Sequence, residues 1–369
     1  MAKKICILTG IYPPEVGGPA TFAEHFSEFS LESGVRVKIL TYCDGKSRKI
    51  KRRNLVIFQL SRAFPLPIRY LLMCLKILWA YLRGYRIIAN GCFLEIALLR
   101  IIFPIKFITK IPGDIVWERA RNINLTSSDI DSFQHEHLKF SLRVMRFLFH
   151  YSISRSSQVV VPSRHLSNLA ILWGAKSQKV RVIYNSISLE DFPFLRNNDH
   201  DFDLLCVSRL VKWKGLREVI EVAAKTGLSL GLVGAGPEEK DLKELSVKLK
   251  ARVTFLGNKS QQELSAIYAR SKYFILNSNF EATSYALLEA RATGLVSIAR
   301  LNTGSEEVIS DRNDGLLCGP EFSLLQAVEL LIRNNVNIEK FEKDARRDIE
   351  NRFDQKKNFR AILDLLTND

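Results

Sequence analysis

Short apolar, β-branched runs alternate along the chain with longer stretches whose apolar residues recur every three to four positions. That alternation marks βα units and parallel sheets covered by helices. In the first half it predicts strands at KICILTG, VRVKILTY, LVIFQL, RIIAN, KFITKI, SQVVVPS and VRVIYN, with helices over 20–33, 68–83, 93–102 and 133–151. The segment DFPFLRNNDHD (191–201) is polar and interrupted by proline, and reads as a linker. The pattern then restarts. It predicts strands at FDLLCVS, LSLGLVG, RVTFLG, KYFILNS and LVSIA, and helices near 214–225, 238–249, 261–270, 283–293 and 321–333. Two successive Rossmann-like, doubly wound α/β domains follow, 1–190 and 191–349, with a ligand crevice expected at the carboxyl ends of the strands. No internal repeat and no low-complexity segment interrupts the pattern.

The length of 369 residues agrees with two cores, and 47% hydrophobic with 25% charged residues is ordinary for a soluble globular chain. The six cysteines are scattered, without a C-x-x-C pair or nearby histidines. Reduced thiols in a cytosolic protein are the expectation, rather than a disulfide framework or a zinc site. MAKKICILTG is basic and then apolar, but the apolar run ends at Gly10 and YPPE follows, so it reads as a first strand and not as a signal peptide. Lys76, Arg83, Glu95, Arg100 and Lys106 interrupt the most apolar region, which argues against a spanning helix.

Charge changes the picture. Residues 1–190 carry a net +16 and residues 191–369 a net −1, so the whole excess of +15 lies in one half. Within it, KSRKIKRR places six cations, Lys46, Arg48, Lys49, Lys51, Arg52 and Arg53, in eight residues. The stretch 46–106 holds 13 Lys and Arg against the single Glu95, interleaved with FPLPIRYLLMCLKILWAYLRGY. Basic residues beside an aromatic and apolar surface predict attachment to an anionic bilayer. The alternative is a helix packed on its own sheet with a solvated polar face.

Four short constellations carry chemistry. In TGIYPPEVGGPATFAEHF, Gly17 and Gly18 precede a helix opened by Pro19, which suits either an anion approached by backbone N–H groups or a plain tight turn. VGAGPEE has the same form and reads as structural. SRLVKWKG places Arg209 at a strand end and Lys214 before the next helix, where two cations would hold a diphosphate; two solvated surface charges are the alternative. In NFEATSYALLEARATGLVSIA, Glu281 lies in a loop and Thr283 and Ser284 are capping residues for the following helix. Glu289 is inside that helix with Tyr285, Ala286, Ala292 and Thr293 on its face and no cation to pair with. Ribose hydroxyls would serve it as donors, while Glu281 stands beside free N–H groups suited to a phosphate and its sugar. A solvated Glu281 and a core Glu289 bonded to backbone remain open.

The chain resembles the retaining, nucleotide-sugar-dependent glycosyltransferases of family four, of GT-B architecture and of the bacterial cell-surface polysaccharide type. The resemblance runs through YPPEVGGPATFAEHF, RVIYNSIS, SRLVKWKG, LVGAGPEEKDLKEL, VTFLGNKS, the E-x7-E segment and NTGSEEVISDRNDGLL, in that order. It implies that Glu281 lies by the donor sugar, that Glu289 binds the ribose, and that Arg209 and Lys214 hold the diphosphate. By the same resemblance Gly257 and Asn258 frame the nucleobase, Gly17, Gly18, Ala282, Thr283 and Ser284 line the donor, and 350–369 crosses back to the first domain. Many relatives carry a histidine after the strand that here reads KFITKIPGD. This sequence has Gly113 and Asp114 instead, and Asp114 is either a contact to sugar or acceptor or a helix cap.

The expected activity is transfer of a sugar, with retention, from a nucleoside diphosphate sugar to a lipid-linked or growing saccharide acceptor at the inner face of the plasma membrane. The sugar nucleotide is a substrate and no cofactor is expected. No D-x-D stands beside a donor-site strand, so no metal is expected either. An epimerase of the same architecture is the alternative within enzymes. A nucleic-acid-binding protein, suggested by the pI near 9.6, is the alternative outside them. No nucleic-acid motif supports the latter.

Overall fold

The computed structural model describes residues 3–194, 199–301, 304–333 and 336–367. Two sheets organise it. The first contains β1 (Lys4–Leu8), β2 (Arg36–Cys43), β3 (Arg48–Lys51), β4 (Leu55–Ser61), β5 (Arg86–Ala89), β6 (Phe107–Lys110), β7 (Val159–Val161) and β8 (Val180–Val182). Their order is β3-β4-β2-β1-β5-β6-β7-β8, parallel except for β3, which pairs antiparallel with β4. The second contains β9 (Phe202–Val207), β10 (Leu230–Val233), β11 (Val253–Gly257), β12 (Ser271–Leu276), β13 (Val296–Arg300) and β14 (Leu316–Cys318), in the order β11-β10-β9-β12-β13-β14. Both are doubly wound, with the chain reversing direction across the sheet at β1/β5 and at β9/β12, the places where such folds hold ligands.

Every strand read from the apolar runs is present. β3 and β14 are additional, and each has a reason to be missed. β3 is RKIK, fully exposed and too basic to look like a strand; charge of this kind protects a sheet edge from further pairing. β14 has three residues. The helix predicted over 133–151 forms instead as Phe140–Ser154. Asp129 caps a separate short helix, Ile130–Phe133, and Arg146 donates to the carbonyls of Phe133, Gln134 and Glu136, holding the intervening loop.

The chain divides into two compact units, Met1–Ile183 with Lys356–Asp369, and Tyr184–Gln355. The crossing therefore comes before the segment read as a linker. Ile187 and Phe192 are buried in the second unit's core, and Ile187 exchanges backbone bonds with Phe353 and Gln355. Of 191–201, residues 195–198 lie outside the described residues. The terminal region is two helices, Ile338–Arg352 and Gln355–Thr367, broken at Phe353 and Asp354. The first packs in the second unit through Phe341, Ala345 and Ile349. The second buries Phe359, Ile362, Leu363 and Leu366 on the first unit's sheet, with the Phe359 ring 5.4 Å from Phe26 and 5.8 Å from Phe22.

Candidate functional site

The second unit gathers the residues that the sequence singles out. β9 ends at Val207, and the chain passes Arg209 and a short 3-10 turn, Lys212–Lys214, before Gly215 starts the helix Leu216–Thr226. Gly215 has φ +65°, and a Cβ there would stand 2.3 Å from the Asn277 carbonyl oxygen, so only glycine fits. This pins the loop of Lys214 to the end of β12. Asn277 completes the joint, its amide donating to the Gly215 carbonyl at 3.0 Å and to Glu218 at 2.8 Å, while Arg300 binds both Glu218 and Asn279.

Lys214 and Glu281 form an ion pair through this joint, each side chain about 13% exposed. Arg209 is exposed, lies over the Trp213 ring at 5.7 Å and makes no ion pair among the described residues. Behind Glu281 the loop is held by Gly304, whose N–H donates to the Glu281 carbonyl at 2.7 Å. A Cβ on Gly304 would stand 1.7 Å from the Ala282 carbonyl oxygen. Ala282 and Thr283 are buried, and the Asn185 amide donates to the Thr283 carbonyl at 2.9 Å. Ser284 caps the helix Tyr285–Ala292 by accepting from Leu287.

Glu289 therefore sits little more than one turn into that helix. Arg291 faces away and is fully buried against Asp314 at 3.0 Å. The partner of Glu289 among the described residues is a side chain and not backbone: Tyr268, from the helix Gln261–Ala269, donates its phenol to Glu289 Oε2 at 3.0 Å. Desolvation pushes the Glu289 carboxyl up to about 7, with the Tyr268 hydrogen bond working against it. In the same unit Asn277 Oδ1, Ser278 Oγ and Tyr285 Oη are buried without hydrogen-bond partners among the described residues.

The glycines of VGAGPEE follow the structural reading. Cβ atoms at Gly234 and Gly236 would lie 2.0 Å from the Ser208 and 2.3 Å from the Leu210 carbonyl oxygens, so the loop presses on the segment that carries Arg209. Gly257 has φ +65° in open space and bonds through its carbonyl to the Gly234 N–H, and Asn258 is exposed.

Three groups of residues lie in the first unit. Gly17 is the N-cap of the helix Gly18–Glu32, with Pro19 in its first turn. Asp114 is a buried N-cap: Oδ1 accepts from Val116 at 2.8 Å and Trp117 at 3.1 Å, and Oδ2 from Gln134 at 3.0 Å. Of the two roles open in the sequence, the cap is the one the structure shows. Lys46, Arg48, Lys49, Lys51, Arg52 and Arg53 are all exposed on and around β3.

Sequence reasoning did not single out Tyr268, Gly304, Asn277, Glu218 or Arg300. Gly304 sits in the NTGSEE stretch of the resemblance, but its tight packing against Ala282 needs the fold to be seen. Tyr268, Asn277 and Glu218 belong to predicted strands and helices and Arg300 directly follows one, places where nothing separates a scaffold polar group from a solvated one.

The fold has many solved counterparts. Sucrose-phosphate synthase from Thermosynechococcus elongatus superposes with a TM-score of 0.81 over 99% of this chain and 98% of its own, at 17% identity. Anabaena HepE, solved with UDP and glucose, superposes with a TM-score of 0.77 over the full length of both chains at 18% identity. Residues 16–191 match the Glycosyltransferase Family 4 model and residues 188–348 the Glycosyl transferases group 1 model. The chain has the GT-B fold, and both of its halves are similar to glycosyltransferases. Among its curated relatives, the human phosphatidylinositol N-acetylglucosaminyltransferase has a component that is 25% identical over 350 residues, covering 89% of this chain and 68% of its own. The N-acetyl-alpha-D-glucosaminyl L-malate synthase of Bacillus anthracis is 28% identical over 46% of this chain and 48% of its own. The chain spans about half the length of several further curated relatives that it matches.

Proposed function

We propose that this protein moves a sugar from a nucleoside diphosphate sugar to a lipid-linked or growing saccharide acceptor, with retention, forming an α-glycosidic bond in surface polysaccharide synthesis. The observation that carries the reading is the Lys214–Glu281 pair at the start of the helix that bears Glu289. A sugar diphosphate satisfies both members of that pair: its phosphate oxygens take Lys214, and its sugar hydroxyls donate to Glu281. Arg209 adds a second cation, and Glu289 takes the ribose. HepE, of the same fold, has been solved with UDP-glucose, and another structural neighbour is a lipopolysaccharide outer core galactosyltransferase.

In the reaction the bond between sugar C1 and the diphosphate oxygen breaks, and the acceptor hydroxyl oxygen bonds to C1 on the same face. The acceptor's proton passes to the departing diphosphate. Lys214 and Arg209 neutralise the charge that grows there, a role in which fixed cations are most effective. No metal is needed for that neutralisation. Incubation with a panel of sugar nucleotides and lipid-linked saccharides, followed by NMR of the product C1, tests the reading. An α-linked donor should give an α-linked product, at a rate unchanged by excess chelator. A β-linked product excludes retention, and a rearranged free sugar nucleotide formed without acceptor favours the epimerase.

The acceptor side is proposed to meet an anionic bilayer at the cytoplasmic face of the plasma membrane. The helix Leu66–Leu82 exposes Ile68, Leu71, Leu75, Trp79 and Leu82 along one stripe. The neighbouring helix ends add Ile101, Ile102 and Phe103, and Phe140, Val144 and Phe147. Among the described residues no helix is long and apolar enough to cross a membrane, so attachment would be at the surface. Each cation near such a surface contributes ~1 kcal/mol. Changing Lys46, Arg48, Lys49, Lys51, Arg52 and Arg53 to Gln should sharply reduce flotation with anionic liposomes and leave thermal stabilisation by the sugar nucleotide unchanged. Equal flotation of variant and parent at low salt would remove this surface from the account. Trp79 is a built-in reporter, 50% exposed while Trp117, Trp173 and Trp213 are at most 6% exposed.

A further inference from the structure

Glu289 offers two carboxylate oxygens, and the structure uses one. Oε2 accepts from the Tyr268 phenol at 3.0 Å, and Oε1 accepts from none of the described residues. One helical turn earlier stands Tyr285, whose side chain shares that face of the helix because positions four apart are neighbours. Its side chain packs against the core cluster that contains Tyr268, and its hydroxyl is buried with no hydrogen-bond partner among the described residues. A buried phenol hydroxyl without a partner is costly, and native proteins rarely keep one that has no use.

A free carboxylate oxygen and a free hydroxyl, one turn apart on a helix, offer a vicinal diol an acceptor and a second polar partner. One diol hydroxyl donates to the carboxylate, and the other exchanges a hydrogen bond with the phenol. We propose that Tyr285 is a specificity-determining residue that, together with Glu289, reads the ribose diol of the donor and selects ribonucleotides over their deoxy analogues. The proposal rests on the nucleotide reading above and adds to it the sugar class of the nucleoside. Tyr268 is then a positioning residue: by occupying Oε2 it turns Oε1 towards the diol.

The test is a titration of parent and Tyr285→Phe with UDP, GDP, ADP and CDP, and then with the 2′-deoxy and 3′-deoxy forms of the diphosphate that the parent binds most tightly. One neutral hydrogen bond corresponds to roughly three- to tenfold in affinity, so Tyr285→Phe should bind the ribonucleotide three- to tenfold more weakly. The deoxy analogue that lacks the hydroxyl facing Tyr285 should bind parent and variant equally, whereas the other analogue should still distinguish them. Equal affinity of parent and variant for the ribonucleotide overturns the proposal. So does an equal loss for the ribonucleotide and both deoxy forms, since that marks general damage to the helix. If none of the four diphosphates binds the parent, the nucleotide reading itself falls, an outcome distinct from either of these.

Discussion

Lys214→Ala should lower kcat/KM ten- to about a hundredfold. A charge-assisted contact to the leaving diphosphate contributes ~1.5–3 kcal/mol, and each 1.36 kcal/mol of barrier is about tenfold in rate. The same change strips Glu281 of its cation. Both side chains are about 13% exposed, so the stranded carboxylate is poorly solvated. The cost should stay below the ~3–5 kcal/mol of breaking a fully buried pair, and on the order of 2 kcal/mol is expected. Adding Glu281→Gln removes the stranded charge, so the double variant should regain its melting temperature while its turnover stays low. Arg209 gives a contrast within the same site. It is exposed and its one charge contact is with the Trp213 ring, so Arg209→Ala should lose turnover over a similar range without losing melting temperature. Steady-state kinetics beside thermal unfolding separates the two effects. Near-normal rates in both single variants would mean that the diphosphate is held elsewhere.

Glu289→Ala should weaken nucleoside diphosphate binding at least tenfold, because a carboxylate accepting from ribose hydroxyls makes charge-assisted bonds of ~1.5–3 kcal/mol. The helix should survive, since Glu289 contributes neither its cap nor its core; those are Ser284 and Leu287, Leu288 and Ala290. The pH dependence has a definite sign. The carboxyl is raised from its ordinary 4.5 to about 7 by desolvation, so the folded, ligand-free protein holds a proton here that the unfolded chain has already released. Stability from this group is fully present below 4.5 and is lost as pH rises through 7. Ribose hydroxyls favour the ionised form, so nucleotide affinity should climb as pH passes from about 6 to 8. Glu289→Gln cannot titrate, and the same titration series with it should climb less, leaving only the contribution of the phosphate. Parallel pH profiles for parent and Gln variant would detach Glu289 from the nucleotide.

Much of the fold is legible in the sequence because apolar, β-branched runs of four to eight residues have few places to go except a buried parallel sheet. The failures have local causes. RKIK becomes an edge strand by pairing with β4, which its own composition does not announce. The domain crossing falls at Ile183–Tyr184, ahead of the segment read as a linker, whose Phe192 is buried in the second unit's core. The helix over 133–151 starts seven residues late, at Phe140, because Arg146 binds three carbonyls of the preceding loop. In the candidate site, Lys214, Glu281 and Glu289 could be singled out because a charged group among small or apolar neighbours is conspicuous. Tyr268 could not, since a tyrosine in an amphipathic helix looks like any core aromatic until its hydroxyl is seen on Glu289. Asp114 illustrates the limit from the other side. Its place after a strand fits a ligand contact and a helix cap equally well, and the cap becomes visible only in the bonds from Val116 and Trp117.

The central claim is that Arg209, Lys214, Glu281 and Glu289 form one site for a nucleoside diphosphate sugar. Calorimetric titration of the unaltered protein with UDP, GDP, ADP and CDP, each beside its monophosphate, tests it most directly. The account predicts that one base is preferred, that its diphosphate binds at least tenfold more tightly than its monophosphate, and that Lys214→Ala reduces the difference. Equal binding of diphosphate and monophosphate, or no binding of any of the eight, would contradict it.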